Sequence, residues 1–181
     1  SGIPFSFTAH AVDLYVDTTM LAEKVRRARF VATISEFNRR LLVDLAGPET
    51  ASKIHVVRCG VDLNDYEFVP RAIGRAPLQI LAVGSLRDYK GHEHLIRACA
   101  LLRATVPCLE FTCRIVGEGP LRGRLEQFIQ RMDLADAVTR EGARDQHQVL
   151  QLMRQSDLLV LPSVVAQNGL MEGIPVVLME A

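Results

Sequence analysis

The sequence predicts an α/β protein built on parallel sheets. Short apolar, strand-like runs alternate with longer helical runs along the chain. A polar stretch over residues 62–77, holding Pro70, Gly74 and Pro77, interrupts that alternation and divides it into two series. Strand–helix–strand repetition of this kind makes neighbouring strands parallel and places helices over the sheet faces.

In the first series, residues 5–8, 30–34 and 54–57 read as strands, with helices over 19–27 and 35–45 between them. Ser35 is a helix N-cap, and Gly47-Pro48 stops the helix that Ser35 begins. The second series reads strand 78–83, helix 92–104, strand 111–116 and helix 121–132. It continues with strand 137–140, helix 146–154 and strand 158–161. The division gives two regions, 1–66 and 67–181, each expected to be part of a Rossmann-like domain.

Composition excludes several function classes. Of the 181 residues, 21 are basic and 21 acidic, so no bulk attraction to nucleic acid or to an anionic membrane is implied. The four cysteines (Cys59, Cys99, Cys108 and Cys113) form no Cys-x-x-Cys pair and no metal-ligand spacing with histidine. Reduced thiols in a cytoplasmic protein are the expectation. No apolar run reaches the roughly 20 residues that span a bilayer, and the start carries no signal-peptide pattern. The absent initiator Met, and an end inside the helix-like Leu178-Met179-Glu180-Ala181, lead us to expect a piece of a longer polypeptide.

The chemistry-bearing residues fall where strands feed helices, the edge at which parallel sheets bind ligands. Gly84-Ser85-Leu86-Arg87-Asp88-Tyr89-Lys90-Gly91 follows the 78–83 strand. Arg87 can fork onto phosphate oxygens and Lys90, one of three lysines in the chain, adds a point charge. A solvated loop with two surface cations fits those residues equally well. Val116-Gly117-Glu118-Gly119-Pro120 opens the next helix, with Pro120 suited to its first turn. It is not the GxGxxG of dinucleotide binding. At the third junction, Glu172 and Glu180 stand eight positions apart with Gly173 and Pro175 between them. Glu172 is therefore expected in a loop and Glu180 in the first turn of a helix. The N–H groups around Ile174 and Val176 would form an anion site at that helix end.

Together these blocks resemble glycosyltransferase family four, the group-one retaining transferases of GT-B fold. The resemblance covers about residues 7–181. It rests on Ser35-Glu36-Phe37, Gly60-Val61-Asp62, Gly84 through Gly91, Gly117-Glu118-Gly119-Pro120-Leu121, Gly142, Asp157, Pro162-Ser163 and the Glu172/Glu180 pair, in that order. The form Glu172-Gly173-Ile174-Pro175 is similar to transferases that build bacterial exopolysaccharide or colanic-acid-like chains. The resemblance implies a partial acceptor domain over 1–66 and a partial donor domain over 67–181. It also implies transfer of a sugar from a nucleoside diphosphate sugar to a glycan or lipid-linked acceptor.

By the same resemblance, Arg87 and Lys90 hold the diphosphate and replace a metal, so neither metal nor cofactor is expected. Glu172 binds donor-sugar hydroxyls and Glu180 the nucleotide ribose. Gly84, Gly117, Gly173, Ile174 and Val176 line the donor, and His10 faces the donor sugar from the acceptor side, with Asp13 in its motif. Pro175 departs from the Gly of many relatives and lacks an N–H.

Two further patterns have a structural reading beside a functional one. His92 and His94 point apart on a helix, which argues against a metal. Lys24, Arg26, Arg27 and Arg29 suit a helix C-terminus as well as a peripheral contact at the inner membrane face. A non-catalytic nucleotide-sugar-binding piece and a sugar-nucleotide epimerase are the competing functions; the two glutamates and the Arg87/Lys90 loop favour transfer. The 181 residues by themselves are expected to be catalytically silent and prone to associate.

Overall fold

A computed structural model describes residues 2–66 and 76–181. Most of the expected linker, including Pro70 and Gly74, lies outside the described residues. The chain divides into two compact units: residues 2–61 with 165–176, and residues 62–66 and 76–164 with 177–181.

The first unit is a parallel three-stranded sheet in the order β1-β2-β3 (Phe7–Ala9, Val31–Thr33, Ile54–Val56). Around it lie α1 (Val12–Tyr15), α2 (Leu21–Arg27) and α3 (Glu36–Ala46). Ala9, Val25, Val31, Leu42 and Ala46 are completely buried between sheet and helices. The Ser35 hydroxyl accepts from the Asn38 N–H at 3.1 Å, so α3 begins where the N-cap reading puts it. The sequence did not anticipate α1 or the 3-10 turn Pro48–Lys53.

The basic cluster at the end of α2 is engaged within this unit. Arg27 pairs with Glu23 at 2.6 Å, and the Arg26 Nε–H donates to the Ala46 carbonyl at 3.0 Å. Lys53 then donates to the Arg26 and Ala28 carbonyls at 2.6 and 3.0 Å, satisfying the end of the helix.

The second unit is a four-stranded parallel sheet in the order β6-β5-β4-β7. Its strands are β4 (Leu78–Val83), β5 (Phe111–Val116), β6 (Val138–Gly142) and β7 (Leu158–Leu159). Its helices are α4 (His92–Thr105), α5 (Arg122–Arg131), α6 (Gln146–Gln155) and the single-turn α7 (Val177–Glu180). Strands β4 and β5 fall on the residues expected of them. Strand β7 is shorter than expected, although the Val160 N–H extends its pairing to the Leu81 carbonyl at 2.8 Å.

Ile80, Ala82, Ile115, Leu95, Ile96, Leu125 and Phe128 form one core beneath α4 and α5. Leu81 lies between Ile80 and Ala82 on the other face of β4 and is also completely buried. The Asp157 carboxylate accepts from the Gln79 N–H, and the Asp157 N–H donates to the Gln79 carbonyl, both at 2.8 Å. This two-bond clamp sets the register in which β7 joins β4.

Chain order reverses at β4, which has β5 on one side and β7 on the other. The carboxyl ends at such a reversal are the place where open parallel sheets bind ligands. Gly91, in the loop after β4, has φ +66°, and a Cβ there would collide with the Pro162 backbone carbonyl in the loop after β7. Replacing Gly91 by Val should therefore destabilise the protein by about 2–4 kcal/mol, combining left-handed backbone strain with a backbone clash. Chemical denaturation of the variant is the check, and a loss below about 1 kcal/mol would show that the two loops separate at little cost.

Candidate functional site

The loops at the strand carboxyl ends of the second unit are joined by main-chain hydrogen bonds. The Gly84 N–H donates to the Val116 carbonyl at 2.9 Å, and the Gly117 N–H to the Gly142 carbonyl at 2.8 Å. The Leu86 N–H donates to Glu118 and the Leu121 N–H to Leu86, at 3.0 and 3.1 Å. On the far side the Val164 N–H donates to the Tyr89 carbonyl at 2.9 Å. Gly117, with φ +140°, permits its loop to come this close to the loop after β4, since a Cβ on it would overlap the Gly84 carbonyl. The glycines read as possible ligand-facing residues thus have a demonstrable part in bringing loop to loop.

The structure brings Gly84, Arg87, Lys90 and Gly117 together on this frame. Arg87 is exposed just before the 3-10 turn Asp88–Lys90. The Lys90 side chain folds back over Gly84: a Cβ there would lie 3.3 Å from Lys90 Cδ and 3.7 Å from Nζ. Its ammonium stands 5.5 Å from the Tyr89 ring centroid. Lys90 is therefore held against Gly84 and Tyr89, and Arg87 is exposed on the same loop, ahead of the start of α4 at Gly91-His92.

Beneath the loop lies a residue whose role sequence reasoning missed. His92 opens α4, is 1% exposed, and places Nε2 3.2 Å from the Ser85 carbonyl. A carbonyl only accepts, so Nε2 carries the proton. Burial depresses the imidazole pKa, partly offset by the Ser85 and Gly84 backbone, and the ring is neutral near pH 7. His92 thus fastens the cationic loop to its helix. The only sequence signal was a histidine directly after Lys90-Gly91.

Glu180 closes α7, and its Oε1 accepts from the Tyr66 hydroxyl at 3.1 Å. Glu172 lies in a non-helical segment, as expected, but that segment groups with the first unit whereas Glu180 belongs to the second. Gly173 packs in the first unit, where a Cβ would approach Ile34 Cδ1 to 3.1 Å. Ile174 and Val176 belong to the same segment and directly precede the four-residue α7.

His10 follows β1 and is exposed. Its N–H donates to both Asp13 carboxylate oxygens at 3.2 Å, which gives Asp13 a definite structural task. Its carbonyl accepts from Asn38 Nδ2 at 3.1 Å, while Asn38 Oδ1 accepts from the Tyr15 hydroxyl at 2.6 Å. Asn38 is completely buried, so the backbone that presents His10 rests on a buried amide on α3.

Among the described residues no group of three or more His, Cys, Asp or Glu side chains is placed to hold a metal ion. Likewise, no described helix is long and apolar enough to cross a membrane.

Comparison with known proteins assigns the chain a family. The model for glycosyl transferases group 1 matches residues 67–181. The amylovoran biosynthesis glycosyltransferase AmsK of Erwinia amylovora is 36% identical over 148 residues, 82% of this chain and 35% of that protein. The putative colanic acid biosynthesis glycosyltransferase WcaL of Escherichia coli is 36% identical over 156 residues, covering 86% and 37%. This chain thus spans about a third of the length of those relatives.

Among solved structures, the pneumococcal O-GlcNAc transferase GtfA, in complex with UDP and GlcNAc, superposes with TM-score 0.71. The identity is 16%, over 98% of this chain and 35% of that one. HepE of Anabaena, in complex with UDP and glucose, gives TM-score 0.67 at 23% identity over 88% and 46%. These likenesses show the fold, that of GT-B glycosyltransferases. With its parallel sheets, its laced loops and the family match over residues 67–181, the chain belongs to the group 1 glycosyltransferases.

Proposed function

We propose that this chain supplies the donor-binding machinery of a transferase that moves a sugar from a nucleoside diphosphate sugar to a glycan or lipid-linked acceptor, with retention of anomeric configuration. One observation carries the reading: Arg87 and Lys90 stand on a loop fixed by main-chain bonds at the strand-order reversal. As the glycosidic bond breaks, negative charge accumulates on the departing diphosphate. Cations already held in place stabilise that charge without reorganising. The names of AmsK and WcaL point in the same direction, toward exopolysaccharide assembly.

Each residue takes one task under this reading. Arg87 and Lys90 neutralise the diphosphate, with the first-turn N–H groups of α4 behind them. Glu180 accepts hydrogen bonds from the ribose, and Glu172 from hydroxyls of the donor sugar. Gly84, Gly117, Gly173, Ile174 and Val176 offer backbone at the donor, and His10 faces the sugar from the acceptor side. The cations take the charge-neutralising task that a divalent metal performs elsewhere. With its cysteines as thiols the protein suits the reducing cytoplasm, in peripheral contact with the inner membrane face where the acceptor is lipid-linked.

Three measurements on the full-length protein test the proposal. Calorimetry should show tighter binding of a nucleoside diphosphate than of its nucleoside; equal affinities would overturn the assignment of the loop. Arg87→Ala or Lys90→Ala should lower kcat/KM by about 2–4 kcal/mol, roughly 30- to 1,000-fold. Turnover should also persist in excess chelator. Complete loss of turnover, restored by magnesium or manganese, would show that the two cations do not carry the diphosphate.

A further inference from the structure

The Tyr66 hydroxyl lies between two side chains far from it in sequence. It is 3.1 Å from Glu180 Oε1 and 3.2 Å from Gln146 Nε2. The direction of both bonds follows from the chemistry of the groups. An ionised carboxylate only accepts, so the phenol donates its one proton to Glu180. The phenol oxygen is then left as an acceptor, and the Gln146 amide donates to it. The chain of bonds therefore runs one way, from Gln146 through Tyr66 to Glu180.

Both ends of that chain matter. Gln146 is the first residue of α6, and that helix end is fixed by a capping box in which Asp145 accepts from the Gln148 N–H at 2.8 Å. The Gln148 side chain answers by accepting from the Asp145 N–H at 3.1 Å. Glu180, by contrast, stands on a helix of only four residues. A single turn does not hold its side chains rigidly by itself, because nucleation costs more than one turn returns. Tyr66 thus transfers the rigidity of a capped ten-residue helix to a carboxylate that local structure leaves weakly fixed. Tyr66 and Gln146 also line a cavity of about 620 Å³, so the bridge stands on the wall of an open space large enough for a small ligand.

We propose that Tyr66 is a positioning residue for ribose recognition: its hydroxyl, braced by Gln146, fixes the Glu180 carboxylate in the orientation that accepts ribose hydroxyls. The inference rests on the reading of Glu180 given above and goes beyond it by naming what orients the carboxylate. One lone pair of Oε1 is taken by the phenol. A carboxylate keeps about three further acceptor positions, enough for the two hydroxyls of a ribose.

The test is the preference of the full-length protein for ribose over deoxyribose. Binding of UDP, GDP and ADP, each beside its 2′-deoxy and 3′-deoxy forms, is measured for the unmodified protein and for Tyr66→Phe, Gln146→Leu and Glu180→Ala. Tyr66→Phe keeps the ring and its packing, and should reduce the ribose preference about three- to tenfold, the worth of one hydrogen bond. Gln146→Leu should reduce it less, and Glu180→Ala should abolish it. General destabilisation weakens ribo and deoxy ligands alike, so the ratio isolates the positioning role. A Tyr66→Phe protein with undiminished preference, beside a Glu180→Ala protein that has lost it, would overturn the inference alone. Undiminished preference in Glu180→Ala would instead remove the reading on which it rests.

Discussion

The second unit depends on the lacing of its loops at the strand carboxyl ends. Arg87 and Lys90 occur within four residues of sequence, and two like charges at that separation repel. A free loop would relieve the repulsion by splaying them into solvent. Here the loop is bonded by its main chain to the loop after β5 at Gly84 and Leu86, and to the loop after β7 at Tyr89. His92 holds it from below through the Ser85 carbonyl. Because the restraints are mostly backbone, the attachment points of the two cationic side chains stay fixed. The arrangement lowers the entropy a ligand's arrival would otherwise have to remove.

The first unit meets a comparable demand by different means. The chain turns sharply after β1, and the buried backbone there must find partners. Thr33 Oγ1 donates to the Ala9 carbonyl at 2.9 Å, and Asn38 donates to the next carbonyl, that of His10. Asn38 is itself secured by Tyr15, so three buried or half-buried polar side chains answer for two consecutive carbonyls. Burying an amide costs free energy unless its hydrogen bonds are made, and this one is satisfied at both ends. One unit thus presents cations on main-chain lacing, while the other presents an imidazole on a side-chain network.

This contrast explains what was legible in the sequence. Strand β4 is a largely apolar run between Pro77 and Gly84, β5 alternates apolar and polar residues before ending in Ile115-Val116-Gly117, and Ser35 and Gly47-Pro48 mark both ends of α3, so these elements could be placed closely. The cationic loop could be recognised because its residues are contiguous. The short α1 and the 3-10 turns could not, since so short an element shows no periodicity. Asn38, His92 and Tyr66 looked like ordinary residues because their partners lie 28, 7 and 114 positions away. Glu172 and Glu180 read as a loop residue and a helix residue on either side of Gly173 and Pro175, and that spacing carries no sign that compact packing groups them with different units. Gly173 shows why: its lack of a side chain lets the segment lie against Ile34.

The helix starts near the candidate site illustrate how differently a fold can secure equivalent positions. Helix α4 begins from a left-handed Gly91 pressed against a neighbouring carbonyl, so its start is fixed by steric fit. Helix α6 begins with a reciprocal capping box, so its start is fixed locally by two side chains within four residues. Single-turn α7 is too short to rely on its own hydrogen bonds, and its Glu180 is tied through Tyr66 to the start of α6. The local device holds wherever its few residues are present, whereas the steric one fails if either loop moves. The tertiary tie is conditional in another way: it orients Glu180 only when α6 is formed and Tyr66 is in place. Glu180 therefore depends for its orientation on residues outside its own helix, Tyr66 directly and Gln146 through it.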